Sequence, residues 1–300
     1  MLANDIQDFL HRHKVWLTKD LGQHFLIDET VLQEIIQVAD LKQGERVLEI
    51  GPGIGVLTRE LLNAGATVTA IELDERFLPL LQEFTSQSPS PNTYPLSPNT
   101  SHLTPLHGNA LHAPLPIAAP FKVVANIPYA ITSPLLRRLL LELPELPTSL
   151  TLLIQREVAE TICAPTTEGI LTALVRLCGI PSIVRHVPKD AFLPPPDVES
   201  SVLHIQSLQK PLADRDTIKR ILKLVKHAMS GRRKMLRNTV GSLPDGMEAL
   251  AKAEINPERR PQALMVEEWI ALEHVIHRKN EIETMEKKPM IPKKPRKPTN

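Results

Sequence analysis

"ERVLEIGPGIGVLTRELLNAGATVTAIEL" (residues 45–73) carries the reading that decides the fold. Val47, Leu48 and Ile50 form a short apolar run that stops at Gly51, and Gly51, Gly53 and Gly55 then alternate through a turn. From Val56 the apolar residues return at helical spacing until Gly65, a stop signal, and "TVTAIEL" (67–73) reads as a second buried strand. Two buried strands joined by one helix make a parallel pair. The pattern recurs outward: a helix over 74–84 despite Pro79, and strands over 121–126 and 149–155, each followed by helical sequence. Such alternation predicts an α/β domain, a mostly parallel sheet with helices on both faces. "DAFLPPPDVESSVLHIQ" (190–206) departs from it, with a stiff triple-proline loop and then a strand expected to join antiparallel at a sheet edge.

The organisation follows. Residues 1–206 are expected to form the sheet domain, 207–280 a small helical domain and 281–300 a disordered basic tail. Within the first, 85–102 is rich in Pro, Ser, Thr and Asn and repeats "SPNT", which predicts a solvated insertion at the amino ends of the strands, away from the ligand end. Thirty-five basic and 34 acidic side chains give a formal net charge of +1, so bulk charge names no partner. Two cysteines outside any CxxC or Cys/His cluster point away from a disulfide framework or metal site and read as small apolar residues in a reducing cytosol. No signal-peptide core and no bilayer-length apolar run are present, so a cytoplasmic protein without a membrane partner is expected. No apolar seam demands a dimer, and a monomer is expected.

The glycine turn suits a ligand that approaches the backbone closely. Dinucleotide folds favour G-x-G-x-x-G, which would need glycine where Val56 stands. The pattern E-x-G-x-G-x-G instead suits a cofactor with an adenosine and a methionine arm but no pyrophosphate. Glu72, at the end of the next strand, is placed to accept from two ribose hydroxyls, although a strand-end carboxylate is also ordinary surface. Asn109, in "HGNAL" (107–111), offers an amide to an adenine edge. "VANIPYAI" (124–131) ends a strand in an amide, a rigid turn and an aromatic ring. The amine of a nucleobase is a poor nucleophile because its lone pair is delocalised, and its methylation needs acceptors that hold the amine hydrogens. Asn126 supplies a side-chain oxygen, Pro128 can aim the Ile127 carbonyl, and Tyr129 can stack on an extruded base. The alternative is a strand-ending turn with a core tyrosine.

"LGQHFLID" (21–28), "VLEIGPGIGVLT" (47–58), "VVANIPYAITSPLL" (123–136), "QREVAE" (155–160), "VPKDAFLPPPDVESSVL" (187–203) and "GRRKMLRN" (231–238) occur in that order. Together they resemble the ribosomal RNA small-subunit adenine dimethyltransferases across roughly residues 15–275. The resemblance implies a Rossmann-like S-adenosylmethionine-dependent methyltransferase domain followed by a small C-terminal helical domain. It implies two methylations on each of two adjacent adenosines near the 3′ end of small-subunit rRNA, within a pre-ribosomal particle. Carried over, the cofactor contacts fall on His24, Leu26, Gly51, Gly53, Glu72, Asn109 and Asn126, and Phe192 is implied to face the extruded base opposite Tyr129, the alternative being that this bulky ring packs in the core. The chain departs from the family in three places. Asn109 stands where Asp is usual and His24 where Asn is common, and "TTEGILTALV" (166–175) is shorter than the family's Gly-rich loop.

"TIKRILKLVKHAMSGRRKMLRNTV" (217–240) holds eight Lys or Arg and no acid, with Ile218, Ile221, Leu222 and Val225 on one helical face. A packed helix with a basic surface suits phosphates, which makes Lys226, Arg232, Arg233, Lys234 and Arg237 candidate RNA contacts. Two rivals remain at this stage. One is a methyltransferase of large-subunit rRNA that confers antibiotic resistance; the "GPG" turn and "GRRKMLRN" favour the small-subunit enzyme over it. The other is a ribosome-assembly factor with weak activity.

Overall fold

The computed structural model describes residues 2–15, 24–86, 102–231 and 233–286, with only the helical backbone over 278–286. The chain divides into two compact units, Met1–Asp214 and Arg215–Asn300. The first opens with helix α1 (Leu2–Arg12), whose buried Leu2, Ile6, Phe9 and Leu10 recur at helical spacing. Strand β1 (Phe25–Leu26) and helix α2 (Glu29–Ala39) follow. Asp28 caps α2 by accepting from the backbone N–H groups of Thr30 (2.8 Å) and Val31 (3.2 Å), which satisfies two orphan donors of the first turn.

The repeating core is β2 (Arg46–Ile50), α3 (Val56–Asn63), β3 (Thr67–Glu72), α4 (Phe77–Ser86), β4 (Leu103–His107) and β5 (Lys122–Asn126). Helix α5 (Thr132–Arg137) runs through one π turn into β6 (Ser149–Gln155). Pro79 is tolerated because it falls in the first turn of α4, where an N–H has no partner to lose. Helices α6 (Arg156–Cys163) and α7 (Ile170–Cys178) lead to β7 (Gly179–Val187), the short β8 (Phe192–Leu193) and β9 (Ser200–Ser207).

Seven strands form one sheet in the order β4-β3-β2-β5-β6-β9-β7, and β1 pairs separately with β8. The pairs β4–β3, β3–β2, β2–β5 and β5–β6 are parallel, and β9 lies antiparallel to both its neighbours. Central strands such as β6 bury nearly every residue, as a sheet covered on both faces requires. The strand over 200–207 is antiparallel as expected but is not at the edge. That place belongs to β7, which the sequence reading missed. Along β7 burial alternates, and the strand holds Pro181, whose missing N–H is tolerated where no further strand pairs.

Chain order reverses direction between β2 and β5, the topological switch point. Leu48 of β2 is level with Val123 of β5, so three residues later Gly51 and Asn126 emerge together at the carboxyl ends. The insertion expected over 85–102 falls almost entirely outside the described residues, between the end of α4 and the start of β4.

The second unit contains α8 (Arg215–Met229), α9 (Gly246–Lys252) and α10 (Val266–Glu286), with short 3-10 turns between them. Ile218, Ile221, Leu222 and Val225 of α8 are all buried, with Leu250, Leu264, Trp269 and Leu272 among the other core residues. Helix α10 continues to Glu286, six residues past 280, and residues 287–300 lie outside the described part. The unit starts at Arg215 rather than 207, because the loop after β9 belongs with the sheet. Among the described residues no helix is long and apolar enough to cross a membrane.

Candidate active site

A cavity of about 1100 Å³ opens at the carboxyl ends of β2, β3, β4 and β5, entirely within the first unit. The turn after β2 forms its floor. Gly53 has φ +58, and a Cβ there would lie 2.5 Å from the Phe25 ring, so a side chain is excluded both by backbone strain and by contact. Gly51 packs against the other motif: a Cβ on it would sit 3.5 Å from Pro128 Cδ. The glycine turn and the "NIPY" stretch are therefore neighbours across the switch point.

Glu72 ends β3 as a buried carboxylate. Its Oε2 accepts from the Gly53 N–H at 2.9 Å and its Oε1 from the Asp74 N–H at 2.9 Å. Burial raises its pKa, against the opposing effect of those backbone donors. Each oxygen keeps lone-pair capacity for a further donor. Glu49, in the middle of β2's run, also borders the cavity and accepts from Thr58 Oγ1 at 2.6 Å. Burial, with the Glu72 charge adding to it, pushes Glu49 up to about 8 despite that hydrogen bond. Sequence reasoning missed Glu49 as a site residue. The signal was its place as the first residue of the E-x-G-x-G-x-G pattern, within an otherwise apolar strand. Asp74 and Glu75 add further acids to the lining, and the lining Arg76 is tied to Asp74 at 2.6 Å. An acid-rich wall disfavours a pyrophosphate and suits a cationic ligand.

Asn109 lines the cavity, but its Oδ1 accepts from the Leu111 N–H at 2.9 Å. The acceptor expected to face an adenine amine is thus engaged in a local turn, and the uncommitted group is the Nδ2 donor. Arg138 holds the loop in place by donating to the carbonyls of Ala110 and Ala113.

Asn126, Ile127, Pro128 and Tyr129 all border the cavity. Asn126 Nδ2 donates to the His24 carbonyl at 2.8 Å, which leaves Oδ1 as its uncommitted atom. Ile127 is buried at 1 % exposure, and its N–H donates to the Leu153 carbonyl at 3.2 Å, which fixes the Asn126–Ile127 peptide. Tyr129 shares a 2.6 Å hydrogen bond with Ser200 Oγ, and burial raises its pKa. His24 and Leu26 reach the same cavity from the β1 segment.

Phe192 does not. It is 2 % exposed, opposite Leu26 in the β1–β8 pair and packed into the core. The expectation that it faces a base is corrected accordingly: as the first residue of β8 its ring is directed into the hydrophobic cluster. Pro196, Asp197 and Val198, just past the proline loop, line the cavity instead.

Of the candidate RNA contacts, Lys226, Arg233, Lys234 and Arg237 are exposed on the second unit, and Arg232 lies outside the described residues. The acid-free run is less bare than it reads. Arg237 meets Glu258 at 2.5 Å, and Arg220 bonds to Glu273.

A Rossmann-like sheet with an acid-lined cavity at its switch point, followed by a small helical unit, is an arrangement similar to that of a solved RNA methyltransferase. A family model described as ribosomal RNA adenine dimethylase matches residues 16–278, and the chain belongs to that family. The chain is 39% identical over 279 residues to ribosomal RNA small subunit methyltransferase A of Novosphingobium aromaticivorans, covering 90% of this chain and 97% of the relative. Among solved structures, the 23S rRNA methyltransferase ErmE is 27% identical with a TM-score of 0.63, over 84% of this chain and 99% of that one. A dimethyladenosine transferase from Plasmodium falciparum shares the fold with a TM-score of 0.69 at 24% identity, over 84% and 97%.

Proposed function

We infer that the protein dimethylates adenosines of small-subunit rRNA, taking its methyl groups from S-adenosylmethionine. The observation that carries this reading is the meeting of the glycine turn and the "NIPY" stretch at one switch-point cavity, in a chain whose 39%-identical relative is a small-subunit enzyme. A large-subunit enzyme is similar at 27% identity, below the 39% of the small-subunit relative.

The site's chemistry fits the cofactor. Gly51 and Gly53 line the cavity with backbone alone, and the Glu72 carboxylate has lone pairs for two ribose hydroxyls. Glu72, Asp74 and Glu75 line the same cavity and suit a sulfonium and an ammonium. Leu26, Gly51 and Asn109 complete the set proposed to hold it. Bound there, it supplies an electrophilic methyl group.

The chain's own residues do the rest. Asn126 Oδ1 and the Ile127 carbonyl accept the two hydrogens of the target amine and favour a more tetrahedral nitrogen. Pro128 fixes the angle between those acceptors, and Tyr129 stacks on the base after it leaves its helix, a contact worth roughly 1–3 kcal/mol. Exposed Lys226, Arg233, Lys234 and Arg237, with Arg232, bind phosphates. The substrate is two adjacent adenosines near the 3′ end of the RNA, in a cytoplasmic pre-ribosomal particle, and the enzyme acts as a monomer.

The test is incubation with labelled S-adenosylmethionine and separated ribosomal subunits that lack the modification. Label in small-subunit RNA alone is expected. Label in large-subunit RNA, or small-subunit binding with no transfer, would refute the reading in favour of a resistance enzyme or an assembly factor respectively.

A further inference from the structure

The turn after β4 supplies one wall of the cavity through His107, Gly108, Asn109 and Ala110. Its internal hydrogen bonds close on a single residue. The N–H groups of His112 and Ala113 donate to the Asn109 carbonyl at 2.9 and 2.8 Å, and the Leu111 N–H donates to the Asn109 side chain. The carbonyls of Ala110 and Ala113 take no part in that closure. Arg138 meets them from 28 and 25 residues further along the chain, with Nη1 on Ala110 and Nη2 on Ala113. One planar guanidinium thus grips two carbonyls of the turn, each through a charge-assisted bond.

The local structure brings Arg138 to that place. Helix α5 starts at Thr132, three residues past Tyr129, and widens into a π turn at Arg138, where the Leu143 N–H donates to the Arg138 carbonyl at 3.2 Å. Such turns are rare and recur at functional sites. Leu139, Leu140 and Leu141 of this turn are all buried, while Arg138 stays half-buried against the turn after β4. Its neighbour Arg137 is exposed and pairs with Glu142 at 3.2 Å. Arg138 does not line the cavity, so its effect on a ligand there runs through the backbone it holds.

We propose that Arg138 is a positioning residue for the cofactor: its fork on Ala110 and Ala113 keeps the Asn109 turn in the arrangement that receives the adenosine end of S-adenosylmethionine. This rests on the proposed function. Without the fork the turn samples other arrangements, and apparent affinity falls with the fraction still competent to bind. The Asn126–Tyr129 stretch keeps its own bonds to Leu153, His24 and Ser200, so the chemical step is left intact.

The experiment compares the full-length wild type with Arg138→Met and Arg138→Lys. Calorimetry reads the dissociation constants of S-adenosylmethionine and S-adenosylhomocysteine, and transfer to undermethylated small subunits gives kcat and the cofactor KM. Arg138→Met is expected to raise both dissociation constants and KM about tenfold or more, as when about a tenth of the turns remain competent. Its kcat at saturating cofactor is expected to stay within about twofold of wild type, the split that marks lost binding rather than lost chemistry. Arg138→Lys keeps the charge without the fork and is expected to fall between the two. In a folded Arg138→Met, a rise in the dissociation constants below about threefold would overturn the proposal, and so would a fall in kcat above about fivefold. If circular dichroism shows Arg138→Met to be unfolded, Arg138→Lys decides: affinity weakened about threefold or more at unchanged kcat supports the assignment, and a smaller change overturns it. A wild type that binds the cofactor but transfers no methyl group would refute the proposed function and leave the affinity comparison standing. One that binds no cofactor would refute both.

Discussion

Replacing Glu49 by Gln tests the electrostatics of the site without touching its shape. In the unfolded chain this carboxyl ionises near its ordinary 4.5, whereas burial beside Glu72 raises it to about 8 in the fold. Between those values the folded protein holds one proton that the unfolded chain has released. Raising the pH therefore favours unfolding, by about 1.4 kcal/mol per pH unit. The contribution is intact below about pH 4.5 and lost as pH rises to about 8, a total of roughly 5 kcal/mol. Glu49→Gln has no proton to lose there and keeps an acceptor for Thr58 Oγ1. Urea unfolding followed by circular dichroism at pH 5.5 and 7.5 reads the effect. Across that window the wild type is expected to lose about 3 kcal/mol more than the variant. Glu72, also raised by burial, titrates in both proteins and largely cancels from the comparison. Stability curves that stay parallel within about 0.5 kcal/mol would refute a protonated Glu49 in the fold.

Gly53→Ala places a methyl group 2.5 Å from the Phe25 ring at a positive φ, and a stability loss of about 2–5 kcal/mol by urea unfolding is expected; adding Phe25→Leu should recover part of it by relieving the contact. Asn126→Ala should abolish methyl transfer while subunit binding by filter retention changes little, since the amide is assigned to the amine and not to phosphates. Replacing Lys226, Arg233 and Lys234 together by Gln should flatten the salt dependence of RNA binding by roughly two to three in the slope of log affinity against log salt, with no change in cofactor affinity. An unchanged slope would remove the second unit's basic surface from RNA binding.

The fold was legible where the signal is local. The run from Glu45 to Glu72 contains both strands, the turn glycines and the helix stop, and each finds its place in β2, α3 and β3. The apolar face of α8 was legible for the same reason, since helical spacing puts Ile218, Ile221, Leu222 and Val225 on one side. What could not be read depends on partners distant in sequence. β7 is a strand only because β9 pairs with it, and Pro181 and the exposed Ile180 disguise it as loop. The acids that meet Arg220 and Arg237 come from 53 and 21 residues further along the chain, so a local charge count overstated the bare basic surface.

The site shows the same division. Gly51, Gly53, Glu72 and the "NIPY" residues do border one cavity, while Gly55 packs against Leu81 and Thr85 instead. Residue type alone could not show that Asn109 commits its oxygen to Leu111, because that depends on the turn its own backbone makes. Nor could it show that Phe192 points inward, a consequence of the β1–β8 pairing. Glu49 opens the E-x-G-x-G-x-G pattern, but its protonation could not be read from the sequence because it depends on burial.

The most direct measurement is nucleoside mass analysis of small-subunit RNA after incubation with the protein and S-adenosylmethionine. The account predicts dimethyladenosine at two adjacent positions near the 3′ end, formed by the wild type and absent with Asn126→Ala. Dimethyladenosine formed equally by that variant, or appearing only in large-subunit RNA, would contradict it.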